Sequence, residues 1–346
     1  MRYLIFVLFI SLYGACQNEP QNTDTSPRPI QLLFLGHDSP HHNSYQYAPI
    51  LMQKWTKEGI HITYTDDPDD LTLDNLNLYD GLLLYANHDT ISPAQEKALL
   101  EFIRSGKGFI PIHCASYCFR NSEEVVHMIG GQFMSHDTGT FTAEITAPDH
   151  PVMNGLSPFA TWDETYVHHK MADDITVLME RVEGDHREPW TWVKTEGDGR
   201  VFYTAYGHDH RTWSNPGFQD LLKNGILWAV GDRVAELWKP FRDSLPEFVY
   251  GDSINIPNYE KRTPWPRYQE PLTPEESKKF LQVPGGFRVE LFAAEPDIIN
   301  PVSMTWDEKG RLWVIETVDY PNTVRDDKSE RSEERRVGKE CRSRWS

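Results

Sequence analysis

The sequence predicts an α/β domain on a doubly wound, mostly parallel sheet, and three features of residues 30–230 point to it. Short runs are apolar throughout, as strands covered on both faces must be. Stretches with helical spacing follow them. The links between are brief, so strand and helix alternate as in a parallel sheet with helices on both faces.

Ile30-Gln-Leu-Leu-Phe-Leu35 reads as the buried first strand, ending at Gly36. Residues 47–57 are helical, with Ile50, Leu51 and Trp55 on one side and Gly59 beyond the end. His61-Ile-Thr-Tyr-Thr65 alternates like a strand, 66–70 is an acidic loop, and Gly81-Leu-Leu-Leu-Tyr85 is a further buried strand. Ser92, Pro93 and Gln95 form a capping box with proline in the first turn, and Ala98, Leu99, Phe102 and Ile103 keep the helical period until Gly106. Phe109-Ile-Pro-Ile112 is the next strand. From Gly139 the pattern changes: 140–146 alternates, 175–179, 189–193 and 199–204 are strands, and Gly197-Asp198-Gly199 is a hairpin turn. Residues 218–230 close the domain as an amphipathic helix, and a Pro-rich linker is expected over 239–271.

The chain has 346 residues, enough for two or three domains, and its 39% hydrophobic and 12% aromatic content is globular. A net charge of −18 repels nucleic acid and anionic lipid, so nucleic acid is excluded as a partner. At the start, a short apolar run from Tyr3 to Leu12 precedes Gly14, Ala15 and Cys16. This reads as a bacterial lipoprotein signal over 1–16. Cys16 would carry the lipid, and 17–29 would be a flexible tether. The protein is therefore expected to be exported, periplasmic or on the cell surface, and held to a membrane by a lipid anchor. Residues 331–346 carry six Lys or Arg and three Glu after an acidic chain, and read as a translated sequencing-adapter artefact. No disulfide framework is expected, and Cys114 and Cys118 read as buried spectator thiols.

Ligands of parallel α/β sheets bind beyond the carboxyl ends of the strands, and histidines gather there. His37, His41 and His42 follow the first strand, His113 ends the fourth and His208 follows the hairpin strand. Glu164 and His168 follow Trp162, and His136 is placed in a loop. Several imidazoles and one carboxylate would line one pocket, suited to acid–base work on an alcohol or carbonyl or to a divalent metal. Catalysis is assigned to His113, His208 and Glu164, with one histidine as base and Glu164 positioning a hydroxyl or the partner histidine. Substrate contacts fall to His37, His136, His168, Trp162 and Trp213. His37, His113 and His208 are the metal candidates, although their spacing matches no closed zinc pattern. His41, His42, His169 and His210 read more simply as surface or hydrogen-bonded histidines. The tryptophans Trp162, Trp190 and Trp213 fit core or pocket wall, with stacking on a sugar ring the sharper reading.

Several motifs, in order, are Gly108-Phe-Ile-Pro-Ile-His113, Gly130-Gly-Gln-Phe-Met-Ser-His136, His150-Pro151, Trp162-Asp-Glu164 and the stretch from Pro189 through Gly207-His208 to Trp213, Pro216 and Gly225-Ile-Leu-Trp-Ala229. Together they resemble the ThuA-like (trehalose utilisation) family over 30–238. The resemblance implies a flavodoxin-like fold related to class I glutamine amidotransferases, and a small-molecule carbohydrate as ligand, a sugar or keto-sugar. In those amidotransferases a cysteine stands at the elbow after the strand; here it is His113, with Cys114 one residue later. That offset argues against a thiolate mechanism, which would require Cys114→Ser to abolish activity. A non-catalytic glycan-binding module is the alternative.

Residues 272–330, with Phe280-Leu-Gln-Val-Pro-Gly-Gly-Phe287 and Trp306-Asp-Glu-Lys-Gly-Arg-Leu-Trp313, resemble the start of a membrane-bound sugar-dehydrogenase-like β-propeller. Strands are expected at 287–292 and 312–315, with a turn at 307–310. No Cys-x-x-Cys-His motif is present, so haem or quinone would belong only to domains further downstream.

Overall fold

The computed structural model describes residues 25–251, 261, 263, 268–316 and 334–337. The expected export signal, Cys16, residues 17–24 of the tether and most of the basic tail lie outside these residues. Among the described residues no helix is long and apolar enough to cross a membrane.

Ten strands build the first part of the chain: β1 (Ile30–Leu35), β2 (Ile60–Thr65), β3 (Gly81–Leu84), β4 (Gly108–Pro111), β5 (Gln132–Thr142), β6 (Glu144–Ile145), β7 (Ala160–His169), β8 (Thr176–Glu183), β9 (His186–Glu196) and β10 (Gly199–Thr204). Eight of them form one sheet in the order β2-β1-β3-β4-β10-β9-β8-β6. The first five positions are parallel and follow the doubly wound order. The last three are antiparallel, beginning with the β9–β10 hairpin expected from the glycine turn. There Gly197 takes φ +60, and any Cβ on it would lie 2.8 Å from the Arg104 carbonyl.

The helices are α1 (Ser44–Trp55), α2 (Leu73–Leu76), α3 (Pro93–Arg104), α4 (Glu123–Ile129), α5 (His210–Trp213), α6 (Pro216–Ala229) and α7 (Asp232–Asp243). Ser92 and Gln95 make both hydrogen bonds of the capping box on α3. All four residues of β3 and of β4 are buried, as the covered centre of such a sheet requires. Gly108 permits the contact with α6, since a Cβ there would stand 3.0 Å from the Ala229 backbone.

Strands β5 and β7 pair as a separate two-stranded antiparallel ribbon. It packs on the turn His113–Tyr117 after β4 and on α5 after β10. The ribbon therefore stands at the carboxyl edge of the parallel strands. His136 lies on β5 opposite Tyr166, in a strand and not the expected loop.

Helix α7 runs beyond Trp238, whose indole N–H donates to the Glu58 carbonyl at 2.8 Å. Short strands β11 (Tyr250–Gly251) and β12 (Tyr268–Gln269) pair, and α8 (Pro274–Lys278) follows. Gln282 then covers the outer edge of the sheet: its Oε1 accepts the Ile62 N–H of edge strand β2 at 3.0 Å, and its Nε2 donates to the Met52 carbonyl at 3.3 Å. An edge amide paired this way offers no template to another chain. Strands β13 (Pro301–Trp306), β14 (Leu312–Glu316) and β15 (Glu334–Val337) form a small antiparallel sheet with the expected turn after Trp306. The strand expected at 287–292 does not form, and Phe287 and Phe292 are exposed there.

Candidate metal centre

Four side chains from distant parts of the chain meet at the carboxyl edge. His42 comes from the loop between β1 and α1, His113 from the turn leaving β4, Glu164 from the middle of β7 and His208 from the loop after β10. One donor atom from each lies within 4.8 Å of the other three, the group of this kind found among the described residues. His42 Nε2 is 3.2 Å from His113 Nε2 and 3.4 Å from Glu164 Oε2, while His113 Nε2 is 3.2 Å from Glu164 Oε2. His208 Nδ1 is 3.3 Å from His42 Nε2 and 3.1 Å from Glu164 Oε1. Donors about 2.05 Å from a zinc ion at the corners of a tetrahedron stand about 3.3 Å apart.

No proton accounts for the contact between His113 and Glu164. His113 Nδ1 is 2.6 Å from the Ala205 carbonyl, an acceptor only, so the ring proton is on Nδ1. Its Nε2 is then a bare lone pair aimed at a carboxylate oxygen and a second imidazole. Burial holds the His113 pKa down at about 4, so the ring is neutral at pH 7. Burial also lowers His42. Burial opposes charge on His208, but the hydrogen bond and charge of Glu164 outweigh it and raise its pKa. Burial likewise opposes ionisation of Glu164, yet the imidazoles of His113, His208 and His42 hold it far below the usual carboxylate range. An ionised carboxylate facing the bare His113 lone pair, with two more imidazoles beside it, can hold a cation, and the Nδ1–carbonyl bond of His113 is the outer contact that fixes the tautomer.

The backbone around each histidine is constrained. His42 and His113 both take positive φ, +58 and +51. For His113 this is the strained strand-to-turn elbow expected at this position. His37 is not in the donor group: its Nε2 bonds the His42 carbonyl at 3.0 Å and its Nδ1 accepts the Asn87 N–H at 3.4 Å. His37 thus steadies the loop that carries His42. Asp163, fully buried, accepts the N–H groups of Gly207 and His208 at 2.9 and 3.0 Å and the Thr212 hydroxyl at 2.8 Å. Burial nevertheless pushes its carboxyl up to about 7. Through these bonds it sets the position of His208.

Two of the remaining expected residues lie near the group, and two, His168 and Trp213, are buried away from it and cannot touch substrate. His136, its side chain 38% exposed, brings Nε2 to 3.5 Å from Glu164 Oε1. The Trp162 ring lies 5.6 Å from that of His208, with the Arg211 guanidinium 3.4 Å above it. His168 is buried below His113, its ring nitrogens taken by Glu188 and Tyr203. Trp213 is not a substrate wall: it is fully buried, stacks on Tyr47 and donates to the Gly207 carbonyl at 2.8 Å. Cys114 is buried and burial pushes its thiol well up, which opposes a thiolate. His42, read from sequence as an ordinary histidine, is the residue that reading missed. Its only signal was its place after β1, which His37 and His41 share.

Residues 31–229 match the family model described as Trehalose utilisation (ThuA). Residues 273–339 match a Domain of unknown function (DUF7133). Among solved structures, a ThuA-like protein from Bacteroides uniformis is 20% identical with a TM-score of 0.53, covering 62% of this chain and 99% of its own. A ThuA-like protein from Parabacteroides merdae is 19% identical with a TM-score of 0.50, covering 59% and 90%. At these identities the likeness is one of fold. No curated protein matches the chain.

Proposed function

This chain belongs to the Trehalose utilisation (ThuA) family over residues 31–229, and from that premise we propose that its α/β domain processes a sugar or keto-sugar with a divalent cation held by His42, His113, His208 and Glu164. The observation that carries the reading is the bare His113 Nε2 aimed at the Glu164 carboxylate 3.2 Å away. Three nitrogen donors and one carboxylate suit zinc, manganese or ferrous iron. Such a cation polarises a carbonyl oxygen or acidifies a hydroxyl.

His113 and His208, first assigned to acid–base work, serve in this reading as ligands. His113 has no ring nitrogen left to exchange a proton with substrate. His136 does: it is partly exposed, on the ribbon and beside Glu164, and it moves the proton. Trp162, stiffened by Arg211, offers its ring beside His208. The apolar run before Cys16 supports an exported, lipid-anchored protein. The hairpin β13–β14 with its tight turn supports a propeller-like, sugar-dehydrogenase-type module downstream.

The test offers the whole chain a keto-glycoside and its parent glycoside, with and without one equivalent of cation, and follows binding by calorimetry and products by chromatography. Cation-dependent turnover of the keto-glycoside is expected, falling about 100-fold or more in His136→Ala with binding kept. Failure to bind either compound would overturn the sugar assignment. Binding without turnover would instead establish a delivery module.

A further inference from the structure

The four donors of the cation group are not held alike. His113 is fully buried and gives its Nδ1–H to the Ala205 carbonyl at 2.6 Å. Glu164 sits inside the β5–β7 ladder, opposite Thr138. The backbone N–H of His208 is fixed on Asp163 at 3.0 Å, and its ring, in a side chain 21% exposed, can give its far N–H to water. His42 differs on two counts. Residues 38–42 make no backbone–backbone hydrogen bond among the described residues, and Asp38, Pro40 and His41 are exposed. Outside the cation group, the His37 ring on the His42 carbonyl at 3.0 Å is what ties His42 to the domain. The ring itself lacks support as well. With Nε2 turned to the cation group its proton stands on Nδ1, which is buried and meets no acceptor among the described residues.

We propose that His42 is the exchangeable donor of this site: a substrate carbonyl or hydroxyl oxygen takes its place beside the cation while the loop of residues 38–42 swings aside. This rests on the metal reading above. Four protein donors at tetrahedral spacing close a site, whereas chemistry on a bound oxygen needs an open position. Which donor yields follows from what holds each. Histidine ligands almost always give their other N–H to an acceptor, which fixes the ring and makes it a better donor. His113 does so and His42 does not. A buried N–H without an acceptor is unfavourable, and departure of His42 relieves it. Movement of residues 38–42 breaks no backbone ladder, whereas His113 would lose its bond to Ala205 and Glu164 would have to distort β7. The exchange is balanced: one Nε2–cation contact is lost, one oxygen–cation contact is gained, and no proton moves.

The test loads the whole chain with Co²⁺ and titrates azide, a small monodentate donor, into the parent and into His42→Ala. Proton NMR reads the hyperfine-shifted ring N–H signals of coordinated histidines, and visible absorbance reads the coordination number. The shifted signal missing from His42→Ala identifies His42. Azide is expected to remove that signal from the parent, to leave the slowly exchanging His113 Nδ1–H signal in place, and to keep the intense band of four-coordinate Co²⁺. Like each of four donors, His42 is worth about two decades of cation affinity. By linkage azide must overcome those two decades in the parent, so it should bind His42→Ala about 100-fold more tightly. A His42 signal that persists while the absorbance falls to a five-coordinate level would overturn the proposal, as would equal azide affinity in the two chains. So would a parent that azide fails to enter at about 1,000 times the concentration that half-saturates His42→Ala. Those outcomes leave the metal reading standing, whereas a parent with no shifted histidine signal would sink that reading itself.

Discussion

Removing either of two histidines five positions apart separates a ligand from a support. His42 presents Nε2 to the cation group; His37 only bonds the His42 carbonyl. A structural zinc site contributes roughly 10–16 kcal/mol. Shared over four donors, that is about 3 kcal/mol each, or about two decades of affinity at ~1.4 kcal/mol per decade. His42→Ala is therefore expected to weaken Zn²⁺ binding about 100-fold or more at pH 7.5. His37→Ala leaves all four donors present and frees only the loop, so about 10-fold is expected, the low end for an outer contact. Competition against a chromophoric chelator reads both. A His37→Ala loss as large as or larger than that of His42→Ala would refute the reasoning, because it would put His37 among the donors.

His61 is buried on edge strand β2, and burial lowers its pKa to about 4. The unfolded chain takes up this proton below about pH 6.5 and the native state only near 4, so its contribution to stability is full above 6.5 and lost as pH falls to 4. That window is about 3 kcal/mol, and His61→Phe should show an acid loss smaller by about that amount in urea melts at pH 7 and pH 4; equal losses would contradict it. Trp213→Ala, which removes a fully buried ring, should cost about 3–5 kcal/mol in urea unfolding of the metal-free chain, far more than an exposed substrate wall would. Cys114→Ser should leave cation binding and turnover within a few-fold in kinetic assays, since a buried thiol with its pKa pushed up is no nucleophile.

The central sheet was legible because its signals are local. The apolar runs at β1, β3 and β4 and the Ser92–Gln95 capping box each state their own structure. His113 was legible for a related reason: it ends a strand, and strand ends at the carboxyl edge face the ligand. His42 was not, because choosing among three histidines in one loop needs the loop's path, and a φ of +58 at a non-glycine residue leaves no mark in sequence. Strand β5 was only half seen, since Ser135, His136 and Asp137 carry little strand preference and are ordered by pairing with β7. At 287–292 the reverse held: strand-like residues found no partner strand and form none. Trp213 misled because an aromatic inside a family motif can serve packing as well as binding, and its indole N–H spends itself on Gly207.

The claim beneath all of this is that one ion belongs among four side chains. Co²⁺ titration of the metal-free chain at pH 7.5, followed by visible absorbance, addresses it directly. A d–d band saturating at one equivalent, and absent from Glu164→Ala and His113→Ala, is the outcome that agrees with the structure. A chain that develops no band, or whose band survives both substitutions unaltered, would contradict it.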